Sequence, residues 1–468
     1  MRDLTSGGVS LESEFAGAEL GDTRRSRRLV EVANALARNP TLSFPKALSS
    51  DAALEGTYRL LGNADVSSEG ILAPHFRATA ERTLGLGEVT VVHDTSAFSL
   101  GGTSREGLGH VSFSSKSLGF LAHVSLVLKP GEERLPLGVA ALRPWVRTKK
   151  KVRARPEHRT KDPERESKRW FEQVDVTESR LPSSVRAVHV MDREGDAYEL
   201  FAHMVSRGSA FVVRAAHDRL LEPEQRRYMS DVLTGLEAQC ERLVPISSRP
   251  RAGFPRERRS HPAREGRLAK LSFAATRVTL RRPKYAPREL PADLQINLVH
   301  VSESDAGDAP VEWILFTSES IDTAEDILRI VDIYRSRWTI EEYFKALKTG
   351  CSFEERQLES LHSLTNALAI FAPIAWRLLL LRTLSRKTPD APASLALTDT
   401  QLEVLRAVSK RKLPKNPSAR DALLAIAALG GHIKNNGDPG WQVLARGYHD
   451  LLLLELGWLA RAQNSDQS

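Results

Sequence analysis

Three consecutive β-strand patterns between residues 89 and 145 constrain the fold more than any other feature of the sequence. The runs VTVVHDTSAFSL, FLAHVSLVL and LPLGVAALRPW are typical of strands, and LKPGEERL, between the second and third, is typical of a hairpin turn. A helical pattern at DPERESKRWFEQV, a strand at VRAVHVM, a helix and a strand at SAFVVRAA follow. This order predicts a mixed α/β layer rather than an all-helical or all-β protein.

Helical patterns on both sides of this layer divide the chain into three predicted parts. Residues 1–75 and 371–468 are predicted to be helical domains, and residues 76–370 carry the α/β core. An antiparallel β insertion is predicted at about 217–320, from the strand patterns LSFAATRVTL, LQINLVHV and VEWILFTSE. Residues 249–270 contain eight basic and two acidic residues with three prolines, so we predict a loop or a mobile arm there.

Composition excludes several classes of protein. The chain has 67 basic and 59 acidic residues, a net charge of +8 and a pI near 9.5, and the seven Lys or Arg of residues 143–155 come without an acid. Two cysteines exclude a disulfide framework and a cysteine-based zinc site. The N-terminus has no apolar signal segment, and the apolar run ALAIFAPIAWRLLLLR, interrupted by Pro373 and Arg377, is predicted to be a core helix too short to span a bilayer. We therefore expect a soluble, cytoplasmic protein without a membrane partner.

The stretch YRSRWTIEEYFKALKTG, which begins at residue 334, mixes acids, cations and aromatic rings. If it forms one continuous helix at 100° per residue, six side chains fall within an arc of about 100°; these are Tyr334, Arg337, Trp338, Glu341, Lys345 and Lys348. A single carboxylate among cations and aromatic rings suits a phosphate-rich ligand that is held against that carboxylate. The alternative is an ordinary solvated face with i,i+4 ion pairs such as Glu341 with Lys345.

A second basic feature opens the helix predicted after residue 22. Asp22 is a plausible N-cap, and four arginines follow in the first turns, Arg24, Arg25, Arg27 and Arg28. Cations at a helix N-terminus oppose the helix dipole. A phosphate partner would account for them, and surface arginines that bury only their aliphatic stems are the alternative.

Two aspartates end predicted strands. Asp94 follows VTVVH and Asp192 follows VRAVHVM. If these strands are parallel neighbours, both side chains project at the sheet edge where open α/β sheets bind ligands, and Glu341 could complete a set of three carboxylates. Three hard oxygen donors suit two Mg²⁺ ions that clamp the attacking and leaving oxygens of a phosphoryl displacement. The alternative for each aspartate is a turn or a helix cap.

The three acidic segments carry a resemblance to a known family. HDTSAFSL, MDREGDAYEL and YRSRWTIEEYFKALKTG resemble the catalytic blocks of the DDE transposases of the insertion-sequence-4 family. The last matches the family's Y-(2)-R-(3)-E-(6)-K signature through Tyr334, Arg337, Glu341 and Lys348. AELGDTRRSRRLVEVA is similar to the family's N-terminal DNA-binding region, and ALGGHIKNNGDPGWQVLARGY to its C-terminal dimerisation region.

The resemblance implies a ribonuclease-H-like catalytic core with a β insertion, and cut-and-paste transposition by a bacterial protein in the nucleoid. It implies two Mg²⁺ ions, with Mn²⁺ as a substitute, on Asp94, Asp192 and Glu341. Its implied partners are double-stranded DNA, both transposon inverted-repeat ends and target DNA, and a second copy of the chain in a paired-end complex.

The resemblance also implies roles for the DNA-contacting residues. Tyr334, Arg337 and Lys348 would hold phosphates around a DNA hairpin. Arg214 would contact end DNA, and Trp313 would support a flipped base, for which an indole offers a stacking surface. A catalytically silent relative that binds DNA as an inhibitor, and a structure-selective nuclease on the same core, are the alternative functions.

Overall fold

The computed structural model describes residues 11–38, 40–101, 105–111, 118–147, 167–222, 227–246, 248, 263–303, 310–409, 412–433 and 437–465. Its α-helices are α1 Thr23–Arg38, α2 Phe44–Ala47, α3 Asp51–Gly62, α4 Ser68–Thr83, α5 Lys168–Arg180, α6 Tyr198–Arg207, α7 Met229–Thr234, α8 Ala324–Arg335, α9 Trp338–Lys345, α10 Leu361–Lys387, α11 Asp399–Val408, α12 Ala419–Leu429 and α13 Trp441–Ser465. Its strands are β1 Glu88–Ser99, β2 Gly109–His110, β3 Leu118–Leu128, β4 Pro136–Trp145, β5 Arg186–Met191, β6 Ala210–Arg214, β7 Leu220–Glu222, β8 Arg227–Tyr228, β9 Cys240–Ile246, β10 Arg267–Arg281, β11 Asp293–Glu303 and β12 Glu312–Thr317.

The chain forms two compact units. The first comprises residues 1–153, 173–186 and 338–468, and the second comprises residues 154–172 and 187–337. Two of the predicted domain limits need correction, because 75/76 lies inside α4 and 370/371 lies inside α10. A continuous helix is a single hydrogen-bonded element, so a limit between domains belongs in a loop beside it. The roles predicted for the three parts stay predictions.

The predicted meander forms the sheet of the first unit. β3 pairs antiparallel with β1 on one side and with β4 on the other. The predicted hairpin turn closes through Lys129 N, which donates to Leu135 O at 2.9 Å. β1 continues five residues beyond the predicted end at Asp94, because HDTSAFS keeps its pairing with β3 as far as Ser99 opposite Gly119. The prediction that Asp94 ends its strand is therefore wrong.

A central helix forms the core of the first unit. The 27-residue helix α10 packs against α4 and β4, and the indole Nε1 of its Trp376 donates to Pro136 O at 2.9 Å. By length and composition this helix could cross a membrane, so the expectation that the apolar run is too short is wrong. Its most apolar window is entirely buried within the structure, which confirms the prediction of a core helix.

The second unit contains a mixed sheet. β5 and β6 are parallel and are connected through α6, and the sheet continues from β6 through β12, β11 and β10 to β9 with antiparallel pairing. This confirms the antiparallel β insertion. Residues 148–155 of the basic stretch and residues 249–262 of the predicted arm lie outside the described residues. The end of that arm is a strand rather than a loop, because β10 begins at Arg267.

Candidate active site

Asp94 and Glu341 both belong to the first unit. Asp94 is half-buried in the middle of β1, opposite Val124, and its Oδ1 accepts the Thr95 N–H at 2.7 Å. Glu341 lies in the first turn of α9, and α9 packs against β1. The structure thus brings the strand of one predicted acid beside the helix of another.

Buried polar side chains fix β1 on both sides of Asp94. His93 Nδ1 lies 3.0 Å from Ser125 Oγ, which in turn donates to Gln173 Oε1 at 3.0 Å. Thr95 Oγ1 lies 2.8 Å from His123 Nδ1. Because side chains alternate along a strand, His93 and Thr95 lie on the face of β1 opposite Asp94, and these contacts hold that face in place. The sequence offered no signal for them, since their partners come from β3 and α5.

The acidic stretch is not one continuous helix. α8 ends at Arg335, a turn occupies residues 336–337, and α9 begins at Trp338. Beyond α9 the chain forms a π-helical turn at Ala346–Gly350, in which Cys351 N donates to Ala346 O at 2.8 Å. The prediction of a single stripe from Tyr334 to Lys348 assumed 100° per residue throughout. That assumption is wrong, because the turn at residues 336–337 and the π-helical turn interrupt the α-helix.

The neighbouring glutamates of α9 differ in their partners. Glu342 pairs with Lys345 at 2.7 Å and with Arg382 at 3.0 Å. The alternative ion pair of Glu341 with Lys345 is therefore wrong, because Lys345 Nζ reaches the other glutamate. The predicted DNA-binding role of Lys345, whose side chain is exposed, stays a prediction.

Lys348, the last residue of the signature, is bound within the first unit. Its Nζ donates to Ala97 O at 2.5 Å, lies 3.6 Å from Glu354 Oε1 and sits over the Phe98 ring. These contacts tie the end of the α9 segment to β1.

Asp192 directly follows β5 in the second unit, as predicted. Its Oδ1 accepts the Glu194 N–H at 2.8 Å and so caps the short turn Arg193–Gly195. Glu194 in turn is 2.5 Å from Arg169. Further along the same loop, the buried carboxylate of Asp196 binds the chain after β6, where it accepts from Ala216 N at 2.6 Å.

Four predicted DNA-contacting residues of the second unit gather around the Tyr334 side chain, which lies within electrostatic range of Asp192. The buried Tyr334 hydroxyl hydrogen-bonds to the Arg214 side chain, and Trp313 packs edge-on against the Tyr334 ring with centroids 5.5 Å apart. Burial raises the pKa of Tyr334, while the positive charges of Arg214 and Arg337 oppose that rise. Burial likewise lowers the pKa of Arg214. The phenol is therefore a neutral hydrogen-bonding group beside a desolvated guanidinium.

The four N-terminal arginines divide into two pairs. Asp22 caps α1, since its Oδ1 accepts the Arg24 N–H at 2.8 Å, and the predicted cap is confirmed. Arg25 binds Leu20 O at 3.0 Å and Asp65 at 2.9 Å, and Arg28 lies 3.1 Å from Glu31. The side chains of Arg24 and Arg27 are exposed, and Arg24 also pairs with the neighbouring Asp22 at 2.9 Å.

The predicted metal site is not confirmed by geometry. Among the residues that the structure describes, no three His, Cys, Asp or Glu side chains lie close enough together to hold a metal ion. The donor chemistry fits Mg²⁺, since all three predicted ligands are carboxylates and hard oxygen donors are its preferred ligands.

Two transposase family models match this chain. Residues 10–66 match "Transposase DNA-binding", and residues 149–374 match "Transposase DDE domain". Asp192 and Glu341 lie inside the second match, and Asp94 lies between the two. The cryo-EM structure of a piggyBac transposase synaptic complex with hairpin DNA aligns at a TM-score of 0.36 and 10% identity, over 78% of this chain and 67% of that chain, a likeness too weak to support a conclusion.

The order of these domains agrees with the fold, since the first match ends just before α4 and the second covers the strands and helices of the mixed sheet. The chain therefore carries a transposase DNA-binding domain followed by a DDE transposase domain with a ribonuclease-H-like core, and it is a DNA transposase.

Proposed function

We propose that this transposase moves a bacterial insertion sequence by a cut-and-paste route and belongs to the insertion-sequence-4 family, with a motif pattern like that of the transposase of transposon five. One observation carries the proposal: a DDE domain match that contains Asp192 and Glu341 shares the chain with a transposase DNA-binding match. The signature through Tyr334, Arg337, Glu341 and Lys348 supports the finer assignment. We expect the protein in the bacterial cytoplasm, associated with the nucleoid.

Asp94, Asp192 and Glu341 are the proposed ligands of two Mg²⁺ ions, for which Mn²⁺ can substitute. The ions would supply the charge that stabilises the attacking and leaving oxygens of an in-line displacement at phosphorus. Carboxylates repel one another when no cation lies between them. The cations would therefore offset the repulsion among the three carboxylates.

Residues around Asp192 are proposed to hold the DNA strand. Arg214 and Arg337 supply positive charge to phosphates, and the Tyr334 hydroxyl orients Arg214 through its hydrogen bond. The half-buried indole of Trp313 offers a surface for an unstacked base, which a hairpin requires. The proposed sequence is hydrolysis at the transposon end, attack of the freed 3′-hydroxyl on the opposite strand, reopening of the hairpin and joining to target DNA.

A homodimer is proposed for the paired-end complex. Its contact surface would be the far half of α13, where five large apolar side chains are exposed: Leu453, Leu454, Leu456, Trp458 and Leu459. Monomeric proteins rarely leave such a patch uncovered.

The decisive assay combines purified protein, Mg²⁺ and a labelled duplex from the DNA that flanks its gene. We expect a nick at the element's end, followed by a hairpin that runs as a double-length strand on a denaturing gel. Asp94→Asn, Asp192→Asn and Glu341→Gln should each bind the duplex and fail to nick it. Nicks without a hairpin, spread over unrelated branched DNA, would favour the structure-selective nuclease instead.

A further inference from the structure

We propose that Glu354 is a positioning residue that holds the strand of Asp94 in register with the helix of Glu341. The inference rests on the proposed metal-dependent cleavage, because the register matters only if both acids hold the same ions. Glu354 lies outside the Y-(2)-R-(3)-E-(6)-K signature, and no pattern in the sequence singles it out.

Glu354 contacts both elements. Its Oε1 accepts the backbone N–H of Ser99, the last residue of β1, at 2.8 Å, and the same atom lies 3.6 Å from Lys348 Nζ. Lys348 closes the arrangement by donating to Ala97 O at 2.5 Å. The two side chains, 33% and 28% exposed, thus form a clamp between β1 and the segment that continues α9.

The clamp lies about as far along β1 from Asp94 as it lies along the α9 segment from Glu341. Asp94 precedes Ala97 by three strand residues, about 10 Å at 3.3 Å per residue. Glu341 precedes Lys348 by seven residues, which belong to α9 and the π-helical turn after it and span roughly 10 Å at the α-helical rise of about 1.5 Å per residue. Because α9 packs against β1, a contact that fixes Lys348 beside Ala97 also fixes how far Glu341 stands along the strand from Asp94.

The chain between the two clamp residues takes an unusual path. The π-helical turn Ala346–Gly350 is followed by Ser352 in the left-handed region, with φ 45° and ψ 42°. Residues other than glycine rarely adopt this backbone conformation unless their surroundings impose it, and such outliers gather at functional sites. Here the two irregular turns bring Glu354 back to β1.

An aromatic cluster anchors the returning turn. Phe353, adjacent to Glu354, is fully buried and packs edge-on against Phe98 of β1, with centroids 5.3 Å apart. It also packs edge-on against Phe120 and Phe371 at 6.3 Å and 5.9 Å. The backbone of Glu354 is therefore held in place independently of its carboxylate, so changes to that carboxylate test the clamp rather than the fold.

The test compares Glu354→Ala and Glu354→Gln with the wild type, using the exposed neighbour Glu355→Gln as the matched control. Mn²⁺ binding to the DNA-free protein is followed by electron paramagnetic resonance, and the Mg²⁺ concentration for half-maximal nicking is measured on end DNA. We expect Glu354→Ala to weaken Mn²⁺ binding and to raise the Mg²⁺ midpoint at least five-fold, with unchanged affinity for end DNA. Glu354→Gln should lie between, because its amide oxygen still accepts the Ser99 N–H but no longer carries a charge for Lys348.

The possible results separate failure of the clamp from failure of the proposed function. Wild-type midpoints and Mn²⁺ affinities in both variants would overturn the clamp while leaving the proposed function intact. If Glu354→Ala does not fold, a wild-type midpoint and wild-type Mn²⁺ affinity in Glu354→Gln would overturn it as well. A wild-type protein that neither binds Mn²⁺ nor nicks end DNA would overturn the proposed function, and this inference with it.

Discussion

Glu342 Oε2 lies 3.0 Å from Arg382 Nη1, in an ion pair between α9 and the core helix α10. Its other carboxylate oxygen binds Lys345 at 2.7 Å. Glu342 thus serves the packing of the first unit, and its neighbour Glu341 is the acid that matches the signature. We therefore expect two chemically identical side chains one residue apart to have separable roles.

Glutamine at each position tests this separation. Glu341→Gln should reduce Mg²⁺-dependent nicking at least ~100-fold, because a lost metal ligand removes several kcal/mol of transition-state stabilisation. Glu342→Gln should keep most of its nicking activity and lose about 1 kcal/mol of unfolding free energy, since its ion pairs are partly exposed. Nicking of an end-containing duplex and urea unfolding measure the two effects, with a gel shift as the binding control. Cleavage that survives in Glu341→Gln but disappears in Glu342→Gln would contradict the assignment.

These two glutamates illustrate which features of the fold and the candidate site could be predicted from the sequence. Runs rich in β-branched and other apolar residues predicted β1, β3 and β4, and such runs are typical of buried strands; nearly all of β3 and the first seven residues of β4 are buried. The turn at residues 336–337 escaped prediction, since YRSRW contains neither glycine nor proline and every residue in it tolerates a helix. The partners of Glu342 and Glu354 were equally hidden, because Arg382 and Ser99 are 40 and 255 residues away and only the folded chain brings them close.

The exposed arginines of α1 should contribute to DNA binding more than the packed ones. Replacing Arg24 and Arg27 together by glutamine should flatten the dependence of log K on log salt by up to ~1.8, at about 0.9 per lost phosphate contact. Arg25→Gln should mainly lower the unfolding free energy, by about 1 kcal/mol, because Arg25 binds Leu20 O and Asp65. Titrations of end DNA at several salt concentrations, with urea unfolding, measure both. An unchanged slope in the double variant would mean that Arg24 and Arg27 form only a solvated face.

A buried histidine should make the stability of the first unit depend on pH. His75 Nδ1 lies 2.5 Å from Glu14 Oε2, and Val139 N donates to His75 Nε2 at 3.0 Å, so the imidazole is neutral with its proton on Nδ1. Burial lowers the pKa of His75 below its ordinary value near 6.5, against the attraction of Glu14. Below pH 6.5 the unfolded chain therefore binds a proton that the folded chain does not, and the unfolding free energy falls as pH falls.

Comparison with His75→Gln isolates this contribution from the other histidines. Between pH 7.5 and 5.5, the unfolding free energy of the wild type should fall by up to about 1.4 kcal/mol more than that of the variant. The lower pH is about one unit below the pKa of a histidine in the unfolded chain. Urea unfolding at both pH values gives the double difference. Equal losses in the two proteins would show that His75 is already protonated in the folded state.

The exposed apolar half of α13 should decide whether two subunits assemble. Its first half packs into the first unit through buried residues such as Leu444, Tyr448 and Leu451, so deleting residues 441–468 would remove part of the core as well as the surface. Point changes avoid this difficulty. Leu456 and Leu459 lie one helical turn apart, and both are exposed, by 39% and 43%.

The double variant Leu456→Glu/Leu459→Glu should weaken the self-association of the DNA-bound protein at least ~100-fold, because each leucine buried at an interface contributes about 1.5–3 kcal/mol and a buried unpaired carboxylate costs more. Single-end binding should persist, whereas the paired-end complex and cleavage should be lost. Analytical ultracentrifugation with end DNA and a gel shift measure these effects. The matched control is Leu243→Glu, which changes a leucine of the second unit that is 60% exposed and should leave assembly intact. If the double variant forms paired-end complexes as the wild type does, the subunits contact each other through another surface.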